Sequence, residues 1–118
     1  MGFNFEKLDV YKEAVDFANH IYEVTKRYPR DEIFGITNQI RRAAMSIALN
    51  IAEGSGRTKK EFRHFLDMAR TSGYECIPLL EISKKQTYIK PEEFNALYER
   101  CNALVKRINA LKNSVREP

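Results

Sequence analysis

Between Gln39 and Arg57 the chain reads QIRRAAMSIALNIAEGSGR, a segment whose helical projection is apolar on two sides and polar along a third. Ile40, Ala44, Ile47 and Ile51 share one face, and Met45, Leu49 and Ala52 project nearly opposite. Arg42, Ser46, Asn50 and Glu53, at spacings of four, four and three, make the polar file. A surface helix needs only one apolar stripe about 100° wide, so a helix with two such sides is central or lies at a subunit interface. Its polar atoms then need partners.

A length of 118 residues with 43% hydrophobic and 31% charged residues fits a single domain, residues 1–118, around one core. No apolar run approaches the roughly 20 residues of a membrane span, and MGFNFEKLDVYKE lacks the apolar stretch of a signal peptide. The expected location is the cytoplasm, with no membrane partner. Cys76 and Cys101 lie within apolar helical patterns, without a second CxxC or a Cys/His pair, and read as reduced core residues. A net charge of +4 fits acidic partners but does not select nucleic acid among them.

Four helices follow from the punctuation. Asp9 can cap the first, whose face Tyr11, Ala14, Val15, Ala18, Ile21, Tyr22 and Thr25 is widened by Val10, Phe17, Val24 and Tyr28 before Pro29 ends it. Thr37 can cap the second, which runs to a glycine stop at Gly54. Thr58-Lys59-Lys60-Glu61 matches a capping box for the third. Phe62, Phe65, Leu66, Ala69, Gly73, Cys76 and Leu80 form its core stripe, and Met68, Leu79 and Ile82 a second strip. Pro78 lies inside, and interior proline costs about 3 kcal/mol, so a kink or break is expected between Tyr74 and Pro78. Pro91, with Glu92 and Glu93 behind it, suits the first turn of a fourth helix carrying a clean apolar face from Phe94 to Val115. With short connections and no strand pattern, the fold class is all-α: an antiparallel up-and-down four-helix bundle.

These residues resemble a known family. The opening FEKLDVYKEA, the turn YPRDEIFGITNQIRRA, the core SIALNIAEGSGR, the stretch EFRHFLDMARTSGYE and the short TYI are similar to small four-helix-bundle proteins encoded in intervening sequences of bacterial 23S rRNA genes, often labelled S23 ribosomal proteins. NIAEG followed by GR is the most specific part. The resemblance implies a homopentameric, barrel-like ring and kinship with the accessory protein of diversity-generating retroelements, a group whose members bind nucleic acid and a reverse transcriptase. The S23 label reflects gene location.

Arg42, Ser46, Asn50 and Glu53 read as a structural network sooner than as a functional groove. Arg42 and Glu53 stand about three turns apart, too far to touch, so Ser72 and Glu75 of the third helix are natural partners. The expectation is that Arg42 pairs with Glu75 and that Asn50 bonds backbone near the second connection. Arg57, Lys59, Lys60, Arg63 and Arg70, offset by Glu61 and Asp67, give 5 − 2 = +3 over residues 57–70 and form the best nucleic-acid-binding candidate. The competing reading is a solvated face on which Asp67 balances Arg63 and Arg70. Arg100, Lys106, Arg107, Lys112 and Arg116 point in several directions. Phe17, Val24, Met45, Leu49, Met68 and Leu79 are the surplus apolar positions, assigned to an oligomer interface. The aromatic residues Phe17, Phe62, Phe65 and Phe94 follow core positions sooner than a base-stacking platform.

Catalysis finds no footing. Glu61 and His64 have the Glu-x-x-His spacing of di-iron bundles, but His20 is preceded three places earlier by Phe17, so the second motif is missing and no metal site is expected. GSGR lacks the glycine-lysine-serine ending of a phosphate loop, and no GxSxG occurs. The sequence reads as a non-enzymatic oligomeric adaptor without cofactor, binding RNA or DNA and assisting a nucleic-acid-processing protein such as a reverse transcriptase. The alternative is a self-assembling or protein-interaction scaffold without nucleic-acid binding, and a third is an enzyme with an unrecognised pocket.

Overall fold

Where the chain turns is decided by a few capping groups. The computed structural model describes residues 3–115 and contains α1 (Asp9–Thr25), α2 (Ile36–Ser55), α3 (Lys59–Lys85) and α4 (Pro91–Ser114), with single 3-10 turns at Asn4–Lys7 and Arg30–Glu32. No strand occurs among the described residues. Arg116 lies outside them.

Thr58 caps α3, its Oγ1 accepting the Glu61 amide at 3.2 Å while its hydroxyl donates to Glu61 Oε1 at 2.9 Å. At α4, Pro91 is the first helical residue and Glu93 Oε1 accepts the Lys90 amide at 2.9 Å. Two expected caps are displaced by one or two residues. Leu8 occupies the capping position of α1, making Asp9 its first helical residue, and Gly35 occupies that of α2, leaving Thr37 buried inside the first turn. Nor is Gly54 a stop, since α2 continues to Ser55. A Cβ on Gly54 would meet Phe65 Cβ at 2.5 Å and Phe62 Cδ1 at 3.1 Å, so this glycine permits the close approach of α2 to α3.

Pro78 does not break α3, which runs through it for 27 residues. The missing donor removes one bond, and packing of the helix against both α2 and α4 holds the turns on either side. α3 closes on Thr87, whose φ of 62° lies in the left-handed region usual for glycine. The Tyr88 and Thr87 amides donate back to Ser83 O at 2.9 Å and Lys84 O at 3.0 Å.

α1 packs on α2 and α4, and α3 packs on the same two, in a rod of 49 × 24 × 21 Å. Between α1 and α4, Glu13 meets Arg107, His20 Nδ1 meets an Arg100 nitrogen at 2.9 Å and Glu93 meets Arg27. Residue numbers thus rise along one helix as they fall along the other. Between them lie fully covered side chains including Ile21, Ile47, Ile51, Leu66, Leu80 and Ile108, each contributing about 1.5–3 kcal/mol through burial. Phe17 and Val24 belong to this core, at 1% and 6% exposure. Their assignment to an oligomer interface is therefore corrected: the apolar arc of α1 is wide because two neighbours of the same chain cover it. Cys76 and Cys101 are buried free thiols, and the adjacent Cys101 thiol followed by burial pushes the Cys76 thiol up.

Candidate functional site

The polar file of α2 divides into pieces that do different things. Ser46 and Ser72 join α2 to α3 through a 2.9 Å hydroxyl contact, and Asn50 Nδ2 donates to Ser46 O at 2.8 Å and Ser46 Oγ at 3.0 Å. Asn50 is thus spent within its own helix, not on backbone of the following connection. Arg42 and Glu75 do not pair; among the described residues neither makes a hydrogen bond or ion pair, and both are exposed. An exposed charge has water as its partner, which removes the need that the sequence argument attached to a buried one. Glu53 is bridged by Arg57, one turn further on.

Arg41, next to Arg42, is the arginine of the pair that bridges two helices, and it reaches α1 instead of α3. Its Nε donates to the buried Thr25 Oγ1 at 2.8 Å and its guanidinium lies 4.6 Å from the centre of the Tyr22 ring, tying α2 to α1. Sequence reasoning passed over it because Arg42, and not Arg41, falls in register with Ser46 and Asn50. Thr25 in the apolar stripe of α1, four residues before Pro29, was the available signal.

The basic cluster at the start of α3 is largely engaged. Arg57 is held between Glu53 and Glu61 and lies 5.1 Å from the centre of Phe65, and these two carboxylates hold its guanidinium above the usual range. Arg63 donates to Lys112 O at 2.6 Å and Val115 O at 2.9 Å, closing the carboxy-terminal end of α4, where a cation is favoured by the helix dipole. Arg70 donates to Asp67 Oδ1 at 3.1 Å, and Lys112 reaches the same oxygen at 2.7 Å. The Lys112 hydrogen bond and then the charges of Lys112 and Arg70 hold the Asp67 carboxyl below its ordinary value. Asp67 therefore balances Arg70 and Lys112, and Arg63 faces carbonyls in place of Asp67. Lys59 and Lys60 are exposed, with no protein partner among the described residues. Of the five basic residues picked from the sequence, these two present unengaged charge.

On the other side of the α2–α3 pair lies an open groove of about 820 Å³, walled by Met45, Leu49, Pro78 and Leu79 and flanked by Arg42 and Glu75. Leu49 is 66% exposed, and on α3 Met68 and Ile82 are 42% and 49% exposed. Met68, Glu75, Leu79 and Ile82 recur at seven, four and three, a single face of that helix. Met45 is partly turned inward, accepting the Tyr22 hydroxyl on sulfur at 3.4 Å.

Comparison with known proteins places this architecture. It superposes on the crystal structure of a protein of unknown function from the S23 ribosomal protein family of Bacteroides thetaiotaomicron with a TM-score of 0.81, covering 88% of this chain and 95% of that one at 23% identity. A search of the curated proteins finds no match. Residues 6–110 match the family described as 23S rRNA-intervening sequence protein. With almost the whole helical rod inside that match, the chain belongs to the 23S rRNA-intervening sequence protein family.

Proposed function

We propose that this chain is a non-enzymatic, cytoplasmic adaptor that assembles through its α2–α3 face and uses the repeated basic edge of the assembly to hold RNA or DNA. The observation that carries the reading is the groove around Leu49, an apolar side chain two-thirds exposed on the helix whose two apolar sides mark it as central or interfacial. Contiguous apolar surface on a small protein marks an interaction site. With its four helices antiparallel in up-and-down order, one protomer offers this face to the next, and the homopentameric ring implied by the family resemblance closes the series.

Within such a ring Lys59 and Lys60 are repeated by every subunit. Two lysines give little affinity alone, but several copies acting together convert weak phosphate contacts into avidity that falls as salt rises. Docking of a nucleic-acid-processing protein such as a reverse transcriptase belongs to the same proposal. Mobility-shift titration of single-stranded and duplex RNA and DNA at increasing salt tests it: binding at low salt that declines with salt and is lost in a Lys59→Gln, Lys60→Gln variant supports the adaptor. Binding that is absent at low salt leaves the second reading, a self-assembled scaffold without nucleic acid, which the engagement of Arg57, Arg63 and Arg70 by protein groups favours.

A further inference from the structure

The connection between α1 and α2 ends in a tip that the fold holds out into solvent. Phe34 is 92% exposed, and Ile33 beside it 45%. One apolar side chain at a protein surface is ordinary, but this one stands on a rigid base. The turn beneath it is closed by the Glu32 amide on Pro29 O at 3.0 Å, the Ile33 amide on Arg30 O at 3.2 Å and the Gly35 amide on Glu32 O at 2.9 Å. Glu32 then ties the turn to the bundle: Oε2 accepts the Tyr88 hydroxyl at 2.8 Å, and Oε1 lies 2.8 Å from where a Gly35 Cβ would stand. Tyr88 in turn packs on the buried Tyr28, with ring centres 5.2 Å apart. An aromatic side chain on such a base gives up little freedom when a partner covers it, which is what a contact anchor requires.

The same chain carries a place for that anchor. The groove on the α2–α3 face, about 820 Å³, has the apolar walls Met45, Leu49, Pro78 and Leu79. It extends along α2 as far as Asn38, four residues beyond Phe34, so the tip and the near end of the groove stand at almost the same height on the rod. The charges are complementary as well. Arg30 and Asp31 beside the tip, and Arg42 and Glu75 beside the groove, are exposed and make no side-chain hydrogen bond or ion pair among the described residues, one cation and one anion at each place. A knob and a hole at different places on one chain are both filled when further copies of that chain seat each tip in the next groove.

We propose that the α2–α3 groove of one protomer takes the Ile33–Phe34 tip of its neighbour, with Asp31 of the tip set against Arg42 and Arg30 against Glu75. This contact rests on assembly through the α2–α3 face and names what covers that face. Because tip and groove are different surfaces, the contact is heterologous: a pair of copies still has one free tip and one free groove. Rotation about an axis parallel to the rods keeps tips and grooves level, so such contacts can close into a ring. A two-fold pairing of identical α2–α3 faces would instead leave the tips outside the interface.

Sedimentation velocity of the full chain, of single variants and of their mixtures tests this, with circular dichroism to show that each variant is folded. Phe34→Asp, an exposed change outside the bundle core, should weaken assembly about a hundredfold by removing one buried aromatic anchor. Leu49→Glu should be monomeric as well. Phe34→Asp keeps a sound groove and Leu49→Glu a sound tip, so an equimolar mixture at high micromolar concentration should form a 1:1 complex that grows no further. Asp31→Arg and Arg42→Asp should each weaken assembly about fivefold, and the double variant should recover it. A monomeric wild type overturns this contact and the proposed assembly together. A wild type that assembles while Phe34→Asp assembles equally well, or a mixture that forms no 1:1 complex, overturns the tip contact alone and assigns the groove to another part of the second copy or to a different protein.

Discussion

The two ends of α2 handle positive charge in opposite ways. At its carboxy-terminal end, Arg57, Arg63 and Arg70 are consumed by Glu53, Glu61, Asp67 and the last carbonyls of α4, so a run that looks strongly basic is mostly internal bracing. At its amino-terminal end fewer basic residues are present, and among the described residues the terminal nitrogens of Arg41, three helix amides and the Thr37 hydroxyl have no hydrogen-bond partner, while a Glu32 carboxylate oxygen lies against Gly35. Binding capacity follows unspent donors, not the count of lysines and arginines. Counting charge along the sequence overstates the free charge at the carboxy-terminal end because pairing is decided by residues from other segments, such as Lys112 and Val115.

The largest expected effect sits at the braced end. Gly54→Ala places a methyl 2.5 Å from Phe65 Cβ, an atom close to the backbone that cannot swing aside. Overpacking of this kind costs about 1–3 kcal/mol, and alanine's better helix propensity returns up to about 1, so urea denaturation should show a net loss of up to about 2 kcal/mol. Unchanged stability would mean the two helices are not held as closely as described. Next comes Arg63→Gln, which strips the last turn of α4 of its charged donor. A loss of about 1–2 kcal/mol is expected, with faster hydrogen exchange confined to the end of α4.

At the unsatisfied end the sign reverses. Thr37→Val removes a buried hydroxyl that has no partner among the described residues, and a gain of about 1 kcal/mol in thermal or chemical denaturation is expected. A loss instead would show that the hydroxyl is satisfied in solution and would erase the contrast.

The smallest effect is one of pH. Asp67 has a folded-state pKa held below its unfolded value by Lys112 and then Arg70, so its contribution is present above the ordinary aspartate value of about 3.9 and is lost as pH falls through the folded value. Asp67 is 38% exposed at its side chain, and solvent screening keeps the contribution to a few tenths of a kcal/mol. In Asp67→Asn the acid limb of the stability profile should flatten slightly. An identical limb would remove Asp67 from the bracing.

Much of the architecture was legible because it rests on local signals. The capping threonine at 58, Pro91 with its following glutamates and the 3.6-residue recurrence of Ile, Leu and Val mark four helices without knowledge of their neighbours. Of the kink or break expected at Pro78, the break does not occur, because a long helix packed on two sides tolerates one missing bond. Phe17 and Val24 misled for a related reason: stripe width says how much of a helix is covered, not whether the cover is the same chain or another. The site was less legible still. Ser46 meets Ser72 as the register suggests, but Arg41 acts through Thr25 and Tyr22 across a turn, a relation that no spacing along the sequence encodes.

Leu49 remains the residue by which the account stands or falls, because its exposure has no reason within one protomer. Sedimentation equilibrium of the wild-type chain and Leu49→Glu, across a range reaching high micromolar concentration, reads the consequence directly. The account predicts a closed oligomer for the wild type, with pentamer the expected mass, and a folded monomer of unchanged helical content for the variant. A wild-type chain that stays monomeric at the highest concentration, or a variant that assembles just as well, would contradict it.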